Sequence, residues 1–233
     1  MSELYQQNLS PEEQSHFTGI AAGSSFMSKV IFAFGMALMI SAAGAYVGFN
    51  NFSQFFVENP ATIWICLAVE LILVFTSRLW STKHPINYLL FALFAFVTGV
   101  TIAPLLMSVI MEFGGPGIIY KALLSTTLAF TAIAAIGLTT HRDFSGLRGF
   151  LWIALTGMII VSIVGIFIPW SNNFEMIFSG FGIVVFAGFT MYDIQRLKTY
   201  PPDRYIDAAL QLYLDIFNLF IYILRLLSSR SRN

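Results

Sequence analysis

Charge is scarce in this sequence. Only 10% of the 233 residues are Asp, Glu, Lys or Arg, whereas 57% are hydrophobic; an ordinary soluble domain is roughly a quarter charged. The 12 basic and 12 acidic residues balance, so no net field favours nucleic acid as a partner. The single cysteine, Cys66, excludes an internal disulfide, and its apolar neighbours favour packing over thiol chemistry. These shortages indicate a polytopic membrane domain.

Histidine is also rare, which argues against several classes of membrane protein. His16, His84 and His141 all lie outside the apolar runs, and the HExxH motif of zinc proteases is absent. The last apolar run has no lysine that could form a Schiff base with retinal. We expect no cleavable signal peptide, because the first ~25 residues are polar and the first apolar run is too long for one.

The apolar runs predict an all-α polytopic fold. A bilayer-spanning helix needs roughly 20 apolar residues. Seven runs approach or exceed that length, at about 30–49, 61–78, 86–108, 118–139, 148–168, 174–195 and 206–227. We therefore predict a polar N-terminal tail, 1–28, ahead of one seven-helix transmembrane domain, 29–233. Gly44 and Gly48 form a GxxxG pattern that permits close helix contact, and the Asn, Gly and Pro content predicts a loop from Asn50 to Pro60.

The basic residues favour a cytoplasmic N-terminus. With that orientation the inner segments hold eight, namely Lys29, Arg78, Lys83, Arg142, Arg148, Arg196, Lys198 and Arg204. The outer segments hold four, namely Lys121, Arg225, Arg230 and Arg232. This bias follows the positive-inside rule. The basic C-terminal end then lies outside, unless the last segment is re-entrant.

The seventh run carries a polar stripe. Its members recur at helical spacing on one face, which lipid cannot satisfy; they are Asp207, Gln211, Asp215, Asn218, Tyr222 and Arg225. Asp215 lies well inside the run, where an ionised acid costs at least ~2.5 kcal/mol. An intramembrane acid indicates function by default, although a hydrogen-bonded structural role is the alternative.

A second acid is expected to meet Asp215. Pro201 and Pro202 end the sixth run, so runs six and seven form a hairpin that places Asp193 and Asp215 at similar depth, roughly 10–12 Å from its end. Carboxylates that meet there would share one proton, because two like charges at close range do not both ionise cheaply. Their hard oxygen atoms also suit Ca²⁺. Alternatively, Asp193 simply ends a helix beside Arg196.

Two further charged residues belong to the second run. Glu70 is a third intramembrane acid, either functional or neutral and hydrogen-bonded. Arg78, at the inner end, is either a snorkelling anchor or a partner for the acids. Gln211 and Asn218 would line any path along the polar stripe.

Three segments resemble the transmembrane BAX inhibitor motif family, also called Bax inhibitor-1-like, in its bacterial branch. They are Gly182–Lys198 (GIVVFAGFTMYDIQRLK), Thr140–Gly149 (THRDFSGLRG) and Leu212–Leu226 (LYLDIFNLFIYILRL). The resemblance is specific from about Gly137 to Leu227.

This resemblance implies a fold, a function and a set of roles. It implies six helices around a central seventh, and a pH-sensitive Ca²⁺ leak with Asp193 and Asp215 as the sensor and calcium-binding pair. It implies an arginine latch on the second helix, which Arg78 would supply. It implies no cofactor beyond the permeant calcium, and a bacterial inner-membrane location.

Other functions compete with the channel. A Tyr-Asp on one helix and an Asp on the next is also the pattern of intramembrane aspartyl proteases, but their Gly-x-Gly-Asp is replaced here by Tyr213-Leu214-Asp215. A regulatory membrane protein is the main alternative, since one bacterial branch of the family associates with a membrane-bound ATP-dependent protease. A proton-coupled transporter is the third. We expect a non-enzymatic protein whose partners are the bilayer, calcium and protons.

Overall fold

Every regular element of the described residues is helical. The computed structural model describes residues 11–59, 61–140 and 142–232. Seven apolar helices follow one another, α1 Pro11–Val47, α2 Ala61–Phe75, α3 Ile86–Phe113, α4 Gly117–Thr139, α5 Leu147–Phe167, α6 Asn172–Arg196 and α7 Tyr205–Ser231. Shorter helical segments between them are Gly48–Phe52, Ser53–Glu58, Ser77–Trp80, Leu197–Thr199 and Pro202–Arg204.

Six of these helices, all but α2, are long and apolar enough to cross a membrane. The exception, α2, is apolar but has 15 residues, or about 22 Å against a hydrocarbon core of about 30 Å. The predicted span 61–78 is thus divided between α2 and the turn Ser77–Trp80. Of the predicted tail 1–28, residues 1–10 lie outside the described residues, and from Pro11 the chain is helical and continuous with α1.

The outward faces of α1 to α6 are apolar. Each of these helices exposes large hydrophobic side chains, such as Phe32, Phe75, Leu89, Leu124, Ile153 and Ile177 in turn. Contiguous apolar exposure on this scale is typical of surfaces that contact lipid. In α7, by contrast, every residue from Tyr205 to Ser229 is buried or half-buried. The helix that carries the polar stripe is therefore much less exposed than the other six.

Two apolar clusters form the interior, and α7 contributes to both. The first joins α1 and α3 to the early part of α7, where the fully buried Tyr213 ring packs edge-on against Phe94. The second joins α4, α5 and α6 to the later part of α7, with Phe186 and Leu219 among its members. Asp215 lies in sequence between these two parts of α7, which places an acid where the two clusters meet.

The predicted close helix contact is confirmed between α1 and α3. A Cβ atom at Gly44 would meet the backbone carbonyl of Phe96, and one at Gly48 would meet Ala103. A third glycine, Gly99 on α3, lies opposite them, and its Cβ would press on the carbonyl oxygen of Ser41. Because backbone carbonyls cannot rotate away as flexible side chains do, this crossing requires glycine.

The predicted loop from Asn50 to Pro60 is wrong over most of its length. The chain instead continues as a π-helical turn, Gly48–Phe52, and then as the α-helix Ser53–Glu58. The Asn50 side chain donates a hydrogen bond to the Tyr46 carbonyl at 2.9 Å and so supports the helical path. Pro60 lies outside the described residues.

The end of α7 is held by an ion-pair network. Arg232 donates to both carboxylate oxygens of Glu112, with Nη2 to Oε2 at 2.8 Å, and its Nη1 donates to Glu175 at 2.9 Å. Glu112 is near the end of α3 and Glu175 is in the first turn of α6. The basic C-terminal end is therefore paired with two acids from neighbouring helices.

Replacing Gly99 by Ala should destabilise the protein, because the new methyl group pushes α3 away from Ser41 on α1. Overpacking of this kind costs about 1–3 kcal/mol. The melting temperature of the detergent-purified protein measures the effect. Gly35→Ala on α1 is the matched control, since a Cβ there meets nothing within 4 Å. An equal melting temperature for Gly99→Ala and Gly35→Ala would contradict this packing.

Candidate functional site

The last turn of α6 places Asp193 inside the protein. The helix begins with the Ser171 hydroxyl as N-cap, which accepts from the Phe174 amide at 3.3 Å, and ends at Arg196. Asp193 lies three residues before that end, yet only 8% of it is exposed. Asp193 therefore lies near the end of α6 and close to Arg196, as the alternative expects, and it is buried there.

Asp215 is the buried partner of Asp193. It is 4% exposed, and within the described residues its Oδ2 atom is buried and has no hydrogen-bond partner. Asp193 is the charged group that acts on it. The hairpin of α6 and α7 thus brings the two predicted acids into electrostatic contact. A buried carboxylate oxygen without a donor is costly, and a proton or a cation would relieve that cost.

Two arginines act on Asp193 from outside the pair. They are Arg196, in the last turn of α6, and Arg148, in the first turn of α5. Arg148 was not predicted to act at this site. The sequence nevertheless marks it as a candidate, because Arg148 belongs to the THRDFSGLRG segment that carries the family resemblance.

Gln211 joins a small network below the acid pair. Arg196 Nη1 donates to Gln211 Oε1 at 3.4 Å, and the guanidinium lies 4.8 Å from the centre of the Tyr200 ring. Gln211 Nε2 donates to the Tyr200 hydroxyl at 2.8 Å. Burial raises the pKa of Tyr200, so its phenol stays neutral and accepts this bond. Gln211 therefore orders the arginine that faces Asp193.

Arg78 lies elsewhere. Its side chain is exposed, and the acid it acts on is Asp207, at the start of α7. Asp207 is 5% exposed and also forms an ion pair with Arg204 at 3.6 Å. Within the described residues, the structure therefore associates Arg78 with Asp207, the first acid of the polar stripe, and not with the Asp193–Asp215 pair.

Glu70 belongs to a separate polar group between α2, α3 and α7. It lies beside Thr101 and Cys66, and its charge also acts on Tyr213. The Tyr213 hydroxyl donates to Ser41 Oγ at 2.9 Å. Within the described residues, Glu70 Oε1 is buried and has no hydrogen-bond partner. Glu70 thus contacts a different set of helices from the acid pair.

The later part of the polar stripe is packed rather than open. Asn218 donates to the Leu214 carbonyl of its own helix at 2.7 Å. The Tyr222 ring stacks on Phe186 with centroids 5.6 Å apart, and a Cβ at Gly182 would strike it. The described residues contain no group of three or more His, Cys, Asp or Glu side chains suited to a metal. A calcium ion at the pair would complete its six to eight oxygen ligands from backbone or water.

Six long apolar helices, one of which is mostly buried and carries buried acids, fit a polytopic integral membrane protein. Residues 23–232 match the family described as "Inhibitor of apoptosis-promoting Bax1". The chain therefore belongs to the Bax inhibitor-1-like family, as its motifs predict.

An uncharacterized protein of Campylobacter jejuni is 30% identical over 226 residues, or 97% of each chain. The vaccinia virus Golgi anti-apoptotic protein is 31% identical over 206 residues, covering 87% of this chain and 84% of the viral protein. Bax inhibitor 1 of Schizosaccharomyces pombe is 29% identical over 212 residues, covering 90% and 78%.

Gln195 links the α4–α5 connection to α6 by hydrogen bonds. No role was predicted for it from the sequence beyond its place in the α6 motif. Its Oε1 accepts from the Phe144 amide at 3.1 Å, and its Nε2 donates to the Arg142 carbonyl at 2.7 Å. These bonds position the segment that leads to Arg148.

Replacing Gln195 by Leu should loosen that connection. Each lost hydrogen bond contributes about 0.5–1.5 kcal/mol, so amide hydrogen exchange at 142–148 should rise roughly tenfold. Gln195→Glu keeps the acceptor for Phe144 and loses the donor to Arg142, so it should give an intermediate rate. Exchange that stays at the wild-type rate in Gln195→Leu would contradict this role.

Proposed function

We propose that this protein is a pH-sensitive calcium leak channel gated by the Asp193–Asp215 pair. The observation that carries the proposal is the electrostatic contact between two buried acids, one of which keeps a carboxylate oxygen without a hydrogen-bond donor. Neighbouring acids that influence each other's protonation are typical of proton-dependent sites. Intramembrane acids commonly mark ion pathways.

The proposed gate is a shared proton. In the closed state one proton bridges Asp193 and Asp215, and the hairpin stays packed. Loss of that proton leaves two negative charges, which at 4 Å repel by about 4 kcal/mol for an effective dielectric of about 20. That is comparable to the few kcal/mol that separate two packings of a bistable protein. The helices relieve the repulsion by separating or by binding Ca²⁺.

Separation would open a path along α7. Gln211 lies on one side of the pair and Asn218 on the other, so both would line it. Arg196 and Arg148, which already act on Asp193, would compensate its charge when the proton leaves. Arg78 would act as a latch through Asp207 at the start of α7, and Glu70 would offer a further acid from α2.

The proposal includes the full topology. In it α2 and the turn Ser77–Trp80 together form a seventh span, since 61–80 would cover about 30 Å as a helix. The other six helices then surround α7, which the burial of α7 supports. We place the protein in a bacterial inner membrane with the N-terminus in the cytoplasm. The bacterial relatives and the distribution of basic residues support this placement.

A regulatory role is the second candidate. The names of two relatives, the viral Golgi anti-apoptotic protein and Bax inhibitor 1, refer to the inhibition of a cell-death process. A regulator of this kind would bind another membrane complex, for example a membrane-bound ATP-dependent protease. Conduction and regulation are compatible in one protein, and neither requires enzymatic activity.

The topology gives one prediction. Reporter fusions at Asn233 and in the connection 201–205 should report opposite sides of the membrane, because one span, α7, separates these two sites. Reports from the same side would show that α7 is re-entrant.

The proposed gate gives a second prediction, which concerns the pH dependence of calcium flux. Calcium flux into proteoliposomes should fall as pH drops, with an apparent affinity that changes by at most about tenfold per pH unit, the slope for one displaced proton. Asp193→Asn and Asp215→Asn remove the ionisable group and keep its shape, so each should flatten this response.

Asp203→Asn is the matched control, because Asp203 is exposed in the α6–α7 connection. It should behave as wild type. Calcium binding that is independent of pH from about 5 to 8, with unchanged affinity in both buried-acid variants, is incompatible with the gate. Cleavage of a model transmembrane peptide by wild type, and by neither variant, would instead support a protease.

A further inference from the structure

A cavity of about 520 Å³ lies at the end of α6, separate from the buried acid pair. The α4–α5 connection forms one side, and the last turn of α6 with the turn Leu197–Thr199 forms the other. The lining side chains are mostly cationic or hydroxyl-bearing, as in Arg142, Arg196, Lys198, Thr140, Ser145 and Tyr192. Its size is within the range of small-ligand sites, about 300–1,000 Å³.

The cavity carries an excess of positive charge. Among the described residues three cations line it, Arg142, Arg196 and Lys198, against one carboxylate, that of Asp143. This carboxylate accepts from the Ser145 amide at 2.8 Å and from the Ser145 hydroxyl at 2.9 Å, and within the described part of the chain it forms no ion pair with a lining cation. These hydrogen bonds lower the pKa of Asp143. The cations are therefore left with donors to spare for an anion.

The fold holds these cations in place. Gln195 fixes the backbone at Arg142 and Phe144, as described above. Lys198 Nζ donates to the Leu138 carbonyl at 2.9 Å, which uses one of its three donors. Arg196 is braced by Gln211 and Tyr200. The cavity thus contains positioned donors rather than loose surface charges.

Its position selects the ligand. The cavity lies where α4 and α6 end, at Thr139 and Arg196, and an apolar helix that spans a bilayer ends near the depth of the phosphate groups. Guanidinium and ammonium groups with nearby hydroxyls are suited to phosphate oxygens. Basic pockets beside transmembrane helices recognise anionic headgroups in this way. We propose that this cavity binds the phosphate-bearing headgroup of an anionic phospholipid.

Native mass spectrometry of the full chain tests the proposal, with phosphatidylglycerol and phosphatidylcholine as probes. Wild type should retain phosphatidylglycerol in preference to phosphatidylcholine. Arg142→Gln with Lys198→Gln should weaken that retention about tenfold or more, since two charge-assisted hydrogen bonds are lost. Both side chains meet solvent, and Arg142→Gln alone, expected to give a smaller loss, covers the case in which the double variant does not fold.

The control is Lys121→Gln, which removes an exposed lysine at the start of α4, at the opposite end of that helix. It should retain the lipid as wild type does. Equal lipid loss in Lys121→Gln and in the cavity variants would overturn the proposed site. A second arm adds excess inorganic phosphate. Failure to displace the lipid supports a headgroup site, whereas displacement that depends on Arg142 and Lys198 would assign the cavity to soluble phosphate and overturn the lipid assignment.

Discussion

Hydrocarbon cannot solvate a carboxylate, and α7 carries two, Asp207 and Asp215, within its covered length. In the folded chain α7 is buried or half-buried from Tyr205 to Ser229, while the exposed faces of α1 to α6 are apolar. Asp207 is paired with Arg204 at the end of the helix. Asp215 lies further along the helix, and within the described residues it forms no ion pair with a cation. Its charged neighbour is a second acid, and this is the feature from which the proposed function follows.

The arginine that balances the pair is shared among several contacts. Arg196 acts on Asp193, donates to Gln211 and lies over Tyr200. It also lines the cavity formed with the α4–α5 connection. The Arg196 side chain is therefore part of both the cavity lining and the surroundings of the acid pair. Two other contacts join helices away from this arginine. They are the glycine crossing of α1 and α3 and the Arg232 ion pairs.

Much of this arrangement could be predicted from the sequence, because hydrocarbon imposes strong rules. Seven apolar runs predicted seven spans, and six of the corresponding helices are long and apolar enough to cross a membrane; helical spacing marked the polar stripe of α7, whose acids are buried. The sequence also predicts that Asp193 and Asp215 lie at similar depth, because two helices joined by a short connection must run antiparallel. GxxxG correctly marked Gly44 and Gly48, since only glycine permits backbones to approach so closely.

Contacts between distant segments could not be predicted in the same way. The sequence gives no depth for Arg78 relative to α7, and the structure associates it with Asp207. Arg148 and Gln195 act across the α4–α5 connection, whose path depends on tertiary packing. The segment from Asn50 has turn-forming residues but stays helical, because the Asn50 side chain bonds back to its own helix.

Infrared difference spectroscopy of the carboxyl C=O stretch tests the shared proton most directly. In lipid-reconstituted wild type near neutral pH, the account predicts a protonated carboxyl band that shifts in D₂O and is lost on raising the pH. Converting either Asp193 or Asp215 to Asn should remove or shift that band, because each variant breaks the bridge. A wild-type spectrum with only ionised carboxylate bands at neutral pH, or a band unaffected by both variants, would contradict the account.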